Sequence, residues 1–177
     1  MTAETITIRT ATVEDAASVA EFGARTFRDT FAWGNTGQDM AAYLATAFSP
    51  RIQAEQIADE RGAFLLACTG DALVGYARLL RGTPTASIPG STPIEVVRLY
   101  VDTPWIGRGV GARLMSACLE QAARWGCDVL WLDVWEHNPT ALAFYERWGF
   151  SVVGRQEFLL GADVQNDLLM ARPTKLA

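Results

Sequence analysis

The sequence is short of the residues on which several large classes of enzyme depend. Its 177 residues include a single histidine, His137, and contain neither a Cys-x-x-Cys pair nor a Gly-x-Ser-x-Gly motif. A multi-histidine zinc site and the nucleophile turn of the serine hydrolases are thereby excluded. The phosphate-binding motif GxxxxGK(S/T) is also missing, which excludes the P-loop nucleotide-binding proteins. We therefore expect a site that works without a metal.

Cysteine, positive charge and long apolar runs are scarce as well. The three cysteines, Cys68, Cys118 and Cys127, lie far apart in apolar stretches, which predicts reduced core residues in a cytoplasmic protein. No run of about 18 uncharged apolar residues is present, and residues 1–9 lack the pattern of a signal peptide, so we expect no membrane partner. The formal net charge of -5 argues against a nucleic-acid partner.

Hydrophobic periodicity predicts one domain over residues 1–177, of mixed α/β (α+β) architecture. Half of the residues are hydrophobic, which suffices for one core. The segment 93–101 is apolar on both faces, which predicts a central strand. The chain as a whole predicts a sheet of six or seven strands with helices on both faces. The predicted strands cover 5–9, 63–69, 72–80, 93–101, 129–135, 151–160 and 167–172, and the predicted helices cover 12–27, 38–47, 50–61, 109–125 and 139–148.

The strongest local pattern is the glycine-rich segment WIGRGVGARLM at 105–115, between a predicted strand and a predicted helix. Glycine lets the backbone bend sharply and bring its N–H groups against an anion, and a helix N-terminus adds about half a positive charge. Arg108 and Arg113 add local positive charge. The segment therefore predicts a phosphate-binding site, and a glycine turn ordered by packing is the alternative.

Three residues of this segment, Gly107, Gly109 and Ala112, also match the dinucleotide-binding pattern GxGxxA. In that motif the first glycine follows its strand almost directly, whereas Asp102 to Ile106 intervene here. Too little sequence follows for a second nucleotide-binding half. These observations disfavour a nicotinamide cofactor.

Two segments together resemble the GNAT superfamily of acetyl-CoA-dependent N-acetyltransferases. They are VVRLYVDTPWIGRGVGARLM, with a strand, loop and helix, and LDVWEHNPTALAFYERWGF, with a strand, an asparagine and a tyrosine. The resemblance implies the GNAT fold, a mixed and mostly antiparallel sheet that splays between the strands at 93–101 and 129–135. Three further segments look like the PaiA-type polyamine acetyltransferases: TFRDTFAWGNTGQDMAAYLATAF, LWLDVWEHN and VGRQEFLLGADVQNDLLM.

The resemblance implies a set of contacts with acetyl-CoA. Main-chain groups of Leu99, Tyr100 and Val101 bond the pantetheine arm where the strands part, and Asn138 bonds the same arm. Asn138 is also a candidate N-cap for the helix entered by Pro139, and the two roles are compatible. The diphosphate lies over the loop and the helix start, at Ile106, Gly107, Arg108, Gly109, Val110, Gly111 and Ala112.

A tyrosine is the catalytic acid that the resemblance implies. Tyr145 gives a proton to the departing thiolate, because a hydrogen bond to that sulfur stabilises the charge that develops there. The alternative is a core aromatic residue packed beside Phe144 and Phe150.

A strand glutamate is the implied base, because an ammonium ion must lose a proton before its nitrogen can attack. Glu95 is the candidate that takes this proton, directly or through water. The alternative is a structural charge with a partner, because a carboxylate in an apolar strand is costly unless it is paired or functional. Period-two alternation predicts that Glu95 shares a face with Leu99 and Val101. Asp133 and Glu136 are weaker candidates for the base.

We therefore expect an acyltransferase that moves acetyl from acetyl-CoA to a primary amine by direct attack in a ternary complex. The favoured acceptor is a polyamine such as spermidine, because Asp29, Asp39, Glu95 and Glu136 are acids that the fold could bring to one groove. The alternatives are a protein or peptide amine, an amino acid or a small drug-like amine. A CoA-binding sensor without catalysis is the alternative from another class. A second copy of the chain, paired through the closing strands in a homodimer, is a further candidate partner.

Overall fold

The computed structural model describes residues 5–31, 37–82, 86–160 and 163–175. Strands and helices alternate along these ranges. The strands are β1 (Ile6–Thr10), β2 (Gly62–Thr69), β3 (Ala72–Arg81), β4 (Pro93–Val101), β5 (Val129–Trp135), β6 (Ser151–Leu160) and β7 (Asp163–Pro173). The α-helices are α1 (Ala16–Phe31), α2 (Gly37–Ala47), α3 (Pro50–Ala58), α4 (Val110–Arg124) and α5 (Pro139–Arg147).

The helices and strands lie where the hydrophobic pattern predicts them, but four ends differ by three residues or more. α1 begins at Ala16 instead of 12, after a 3-10 turn at Val13–Asp15. α1 continues to Phe31 instead of ending at 27, and β7 begins at Asp163 instead of 167. α3 ends at Ala58, before the predicted end at 61. It ends there because Asp59 adopts an extended conformation and its carboxylate accepts hydrogen bonds from the backbone and side chain of Arg61.

The strands of the described ranges form one seven-stranded sheet in the order β1-β2-β3-β4-β5-β7-β6. Each neighbouring pair is antiparallel except β4 and β5, which run parallel. The predicted GNAT-type sheet, mixed and mostly antiparallel, is confirmed. β4 occupies the middle of the sheet, as its apolar composition predicts.

The parallel pair β4 and β5 separates soon after it begins. Pairing joins Pro93, Ile94 and Glu95 to Val129, Leu130 and Trp131, and no later residue of β4 is paired with β5 in the described part of the chain. On its other side β4 stays paired with β3 as far as its last residue. The predicted splay between these strands is therefore confirmed, and we call the gap the β4–β5 opening.

An irregularity in β4 changes which side chains share a face. Arg98 lies opposite Arg78, yet Val96 lies opposite the next residue of β3, so Val97 is an extra residue in the ladder. A bulge of this kind reverses the alternation of side chains beyond it. The predicted common face of Glu95, Leu99 and Val101 is therefore wrong: Glu95 lies on the opposite face.

Helices cover both faces of the sheet. α4 and α5 pack on the face that contains the largest hydrophobic cluster, which includes Leu79, Ile94, Val96, Leu114, Leu130, Leu132 and Met170. α1, α2 and α3 cover the other face, where Phe22, Phe64 and Tyr76 are buried. Among the described residues, no helix is both long enough and apolar enough to cross a membrane.

The packing of α4 on the sheet generates a stability prediction. Leu114 is fully buried, so Leu114→Ala removes apolar contacts and leaves a cavity, which lowers the free energy of unfolding by about 2–5 kcal/mol. Leu159→Ala is the matched control, because Leu159 is 62% exposed and its truncation changes the stability by less than about 0.5 kcal/mol. Urea unfolding measures both, and equal losses would contradict the assignment of this core.

Candidate active site

The β4–β5 opening presents the main chain of the last residues of β4. Leu99, Tyr100 and Val101 pair with β3 on one side, and on the side of β5 their backbone groups have no strand partner in the described ranges. The side chains of Leu99 and Val101 pack against the main core, so only the backbone faces the gap. These residues can therefore hold an extended chain by main-chain hydrogen bonds, as the resemblance implies.

The loop after β4 is shaped by two glycines with left-handed backbone. Gly107 has φ of 80° and Gly109 has φ of 84°, a region that side chains other than glycine rarely adopt. A Cβ added at either position would meet no atom within 4 Å, so the loop is open on this side. Gly109 immediately precedes α4 and places the helix N-terminus at the open surface.

The N–H groups at the start of α4 form a candidate anion site. The first intrahelical bond runs from the N–H of Arg113 to the carbonyl of Gly109, at 3.1 Å. The N–H groups of a helix's first turn have no acceptor inside the helix, so those from Gly109 to Ala112 can bind an anion, helped by the helix dipole. The open loop and these donors fit the diphosphate of a CoA-type ligand.

Two of the predicted diphosphate contacts already have partners within the loop. The N–H of Ile106 donates to the carbonyl of Thr103 and the N–H of Arg108 donates to that of Trp105, each at 3.2 Å. A bond from the Ile106 amide to a diphosphate therefore requires the first of these bonds to open. The side chain of Ile106 is 59% exposed.

The two arginines predicted to add positive charge to the loop lie in different places. The guanidinium of Arg108 stacks over Trp105, 5.3 Å from the ring centroid, and so stays at the loop. Arg113 donates instead to the carbonyl of Ile6 on β1, at 3.3 Å. The prediction that both arginines serve the loop is wrong for Arg113, because α4 turns its side chain toward β1.

Asn138 stands at the start of α5, where both of its proposed roles are open to it. Its Oδ1 accepts the N–H of Ala141 at 3.1 Å, and Pro139 occupies the first turn, so the N-cap role is confirmed. The side-chain NH2 group is a separate donor, available to a ligand that reaches the helix start.

Tyr145 combines the features of a core residue and of a proton donor. Its ring packs 5.4 Å from that of Phe144 and 5.7 Å from that of Phe150, and the residue is 9% exposed. Burial raises the pKa of the phenol, and the nearby Cys118 and Asp133 raise it further. The phenol therefore keeps its proton at neutral pH, as a proton donor must.

Glu95 lies at the end of the paired part of β4, opposite Trp131. It interacts electrostatically with Arg78, which is 9% exposed and whose pKa is lowered to about 10, mainly by burial and next by the charge of Arg98. The neighbouring positive charges fit the structural alternative for Glu95 as well as the catalytic one.

Two carboxyl groups meet on the same face of the sheet, and the sequence pattern did not pair them. Asp133 lies opposite Leu169 in the β5 and β7 ladder, and Asp167 lies opposite Trp135, so the two acids are diagonal neighbours. Their carboxyl groups interact electrostatically. The Nε2 of Gln156 donates to Oδ2 of Asp133 at 3.0 Å. We call Asp133 and Asp167 the acidic dyad.

Burial and mutual repulsion perturb both acids of the dyad. Burial raises the pKa of Asp133, and burial together with the Asp133 carboxyl raises the pKa of Asp167 to about 7. Two carboxyl groups this close cannot both ionise freely. The sequence pattern indicates Asp133 only as a weaker candidate for the base and does not single out Asp167. The sequence does contain one indication of both acids: a carboxylate inside an apolar run, as in LWLDVW and NDLLM, is costly unless it has a partner or a function.

Aromatic rings border the dyad. The charges of Asp133 and Asp167 reach Tyr43 of α2, whose pKa is raised mainly by burial. The ring of Tyr43 lies 5.7 Å from that of Phe158, and the ring of Phe31 lies 5.8 Å from that of Trp135. The acids are therefore enclosed on the face of the sheet that α1 and α2 cover.

Glu136 is less suited to the role of base than its position next to β5 predicts. Its Oε2 lies 3.1 Å from Nη1 of Arg155, in a salt bridge, and its Oε1 lies 3.7 Å from Nε2 of His137. One carboxylate oxygen of Glu136 is therefore committed to Arg155, so the group is not free to serve an acceptor amine. In the ranges that the structure describes, no group of three or more His, Cys, Asp or Glu residues could hold a metal ion.

Comparisons with known proteins agree with this geometry. A model of the acetyltransferase (GNAT) family matches residues 27–150. An uncharacterized N-acetyltransferase of Mycobacterium tuberculosis (strain ATCC 25618 / H37Rv) is 34% identical over 158 residues, 89% of this chain and 97% of that protein. The N-alpha-acetyltransferase RimI of the same strain is 34% identical over 159 residues, 87% of this chain and 85% of that protein.

A solved structure extends the comparison to the fold. The crystal structure of PaiA N-acetyltransferase from Thermoplasma acidophilum in complex with coenzyme A has a TM-score of 0.77 at 20% identity, covering 96% of this chain and 99% of that chain. The splayed parallel strands and the open helix N-terminus define an acetyl-CoA-dependent N-acetyltransferase. The chain belongs to the GNAT family of acetyltransferases, and acetyl-CoA is its cosubstrate.

The positive φ at the start of α4 generates a binding prediction. Gly109→Ala forces a side chain into the left-handed region, at a cost of about 1–2 kcal/mol, so the loop relaxes and its N–H groups turn away from the diphosphate. We expect CoA to bind about tenfold more weakly, since 1.4 kcal/mol is a factor of about ten.

Isothermal titration calorimetry with CoA measures this effect. Gly37→Ala is the matched control, because a Cβ there meets no atom within 4 Å and the backbone does not have a positive φ. Equal affinity of the Gly109→Ala variant and the wild type would contradict the proposed anion site.

Proposed function

We propose that the protein acetylates a primary amine by direct attack in a ternary complex, with a polyamine such as spermidine as the favoured acceptor. The observation that carries this proposal is the pair of sites on the two sides of one opening. The main chain of β4 and the start of α4 form the proposed acetyl-CoA site. The acidic dyad lies on the face of the sheet covered by α1 and α2.

The cofactor-binding residues divide into three groups by the part of acetyl-CoA that they hold. The main chain of Leu99 to Val101 bonds the pantetheine arm, and Asn138 adds a side-chain donor. The loop from Ile106 and the first turn of α4 to Ala112 bind the diphosphate. When bound, acetyl-CoA supplies an acetyl group activated as a thioester.

The residues around the opening supply the proton transfers. Tyr145 donates its phenolic proton to the departing sulfur, which its raised pKa permits because the proton is retained until that charge develops. Main-chain N–H groups of β4 at the opening polarise the thioester carbonyl. A carboxylate on the opposite face of the sheet removes the proton of the ammonium group.

Glu95 and Asp133 are the two candidates for that carboxylate. Glu95 lies at the base of the opening, beside the positive charge of Arg78. Asp133 acts electrostatically on the phenol of Tyr145, which places it near the proposed proton donor. This proximity favours Asp133, since the base and the acid must reach the same reacting centre.

The acceptor is inferred from charge and from similarity. The acidic dyad and Glu136 form a negatively charged region that suits a cationic amine, and the flanking segments resemble PaiA-type polyamine acetyltransferases. A peptide α-amine is the second candidate, because the RimI relative is named as an N-alpha-acetyltransferase and matches most of the chain.

An amine panel separates these functions. Release of free CoA thiol from acetyl-CoA is followed with spermidine, with peptides that have a free α-amine, with amino acids and with small drug-like amines. Turnover with spermidine above all others supports the polyamine proposal, and turnover with peptides alone supports the second candidate. CoA binding without turnover on any amine would instead indicate a sensor.

Removal of the proposed proton donor tests the role of Tyr145. We expect Tyr145→Phe to lower kcat by tenfold or more, because general-acid catalysis contributes about 10²- to 10⁴-fold. Tyr76→Phe is the matched control, since the buried hydroxyl of Tyr76 has no hydrogen-bond partner among the described residues. Unchanged kinetics of the Tyr145→Phe variant would leave Tyr145 as a core residue.

The two base candidates are separated by amide substitutions. We expect Asp133→Asn to lower kcat/KM by about tenfold or more and Glu95→Gln to lower it less, because only Asp133 is linked to the phenol of Tyr145. Steady-state kinetics on the best acceptor of the panel measures both. The opposite order of losses would assign the base to Glu95.

A further inference from the structure

The acidic dyad has a geometry that a pair of independent surface acids lacks. Asp133 is half-buried and Asp167 is 7% exposed, and their strands β5 and β7 are paired along the whole of β5. The regular ladder fixes the distance between the two side chains. Gln156 holds one oxygen of Asp133, so the carboxyl group has a defined orientation.

We propose that Asp133 and Asp167 share one proton in the free protein, and that Asp167 acts as a positioning residue: once the shared proton has left, the charge of Asp167 raises the proton affinity of Asp133, which then accepts the proton of the acceptor ammonium. This inference rests on the proposed function and on Asp133 as its base. Asp167 need not touch the acceptor; it acts through its charge on the neighbouring Asp133.

The physical advantage of the dyad is a better base than a lone carboxylate. A solvated aspartate has a pKa near 4 and holds a proton weakly, whereas a base is most effective when its pKa lies near the working pH. The pKa of Asp167 is raised to about 7 by burial and by Asp133, so the dyad binds its last proton firmly. A cation at the dyad favours loss of that proton and leaves two carboxylates ready to accept another.

The proton balance of the reaction closes with these residues. The ammonium group gives one proton to Asp133, and its freed electron pair forms the N–C bond to the acetyl carbon. The C–S bond breaks, and the sulfur takes the bond's electron pair and a proton from Tyr145. The second proton on the nitrogen replaces the one that Tyr145 gave. The products are the amide and the CoA thiol, and the proton held by the dyad passes to water.

Other ionisable groups face the dyad from every neighbouring element. Tyr43 of α2 interacts electrostatically with Asp133 from the same face of the sheet and Tyr145 of α5 does so from the opposite face, and both keep their protons because burial raises their pKa. Glu136, at the end of β5, adds negative charge that also raises the pKa of Asp167, and Arg155 of β6 partly offsets that charge. Glu95 lies on the same face of β4, and so do Arg78 and Arg98. Burial of the two acids and the charge of Asp133 on Asp167 favour retention of a shared proton.

The pH dependence of stability tests the shared proton without any assay of activity. A carboxyl group whose pKa is raised on folding stabilises the protein fully below the pKa of the unfolded chain, near 3.8, and this contribution is lost as the pH rises toward 7. Asp167→Asn removes the shared proton. We therefore expect the wild type to lose more stability than the variant between about pH 5 and pH 8, measured by urea unfolding.

The pH profile of kcat/KM tests the positioning role. The wild type loses activity as the pH falls through about 7, because the shared proton then occupies the dyad. In the Asp167→Asn variant, Asp133 has no second carboxylate beside it and its pKa is lower. The acidic limb of the kcat/KM profile therefore moves down by about one pH unit or more, and the plateau value of kcat/KM falls because the base is weaker. Asp167→Glu keeps a second carboxyl group and retains a limb closer to that of the wild type.

Controls and outcomes separate this inference from the proposed function. Glu157→Gln removes one negative charge from the exposed part of β6, on the face of the sheet opposite to the dyad, and leaves both profiles unchanged. If Asp167→Asn is active with an unmoved acidic limb, the inference is overturned and the function stands. If the wild type turns over no amine, the proposed function fails and the inference fails with it, whatever the stability measurement shows.

Discussion

The separation of β4 from β5 is the constraint on which the rest of the site depends. A parallel pair normally continues its ladder to the strand ends, but here pairing stops after Glu95 on β4 and Trp131 on β5. Every later backbone group of β4 on that side needs another partner or water, since an unpaired buried group is costly. A ligand with an extended amide-bearing arm satisfies these groups. The pantetheine arm of acetyl-CoA is such a ligand, so the break in the sheet and the choice of cosubstrate follow from one feature.

The bulge at Val97 assigns the two faces of β4 to different tasks. Before it, Ile94 and Val96 face the main core; after it, Leu99 and Val101 do so. The strand thus keeps apolar side chains toward α4 although the ladder contains an extra residue. Glu95 and the two arginines of this region stay on the other face. The apolar side chains that form the main core and the charged side chains are therefore separated by the thickness of the sheet.

Much of the fold could be predicted from the sequence, because strands and helices are encoded by local periodicity. The limits of β4 and β5 follow from their apolar runs, and the sharp bend at Gly107 and Gly109 follows from the glycine-rich segment. The shared face of Glu95 and Leu99 was wrong, because a bulge depends on the register with β3. Asp167 was missed for a similar reason: its neighbour Asp133 is set by the pairing of β5 with β7, which separate runs of sequence do not specify.

The stacking of Arg108 on Trp105 has a consequence for observing the protein at work. The guanidinium of Arg108 lies over the indole of Trp105 in the loop before α4, near the N–H groups at the helix start that can bind an anion. When a polyphosphate arrives, it competes with the indole for the same cation, and the electrostatic surroundings of the ring change. The loop therefore contains its own fluorophore, and intrinsic emission from this tryptophan reports nucleotide docking with no label attached.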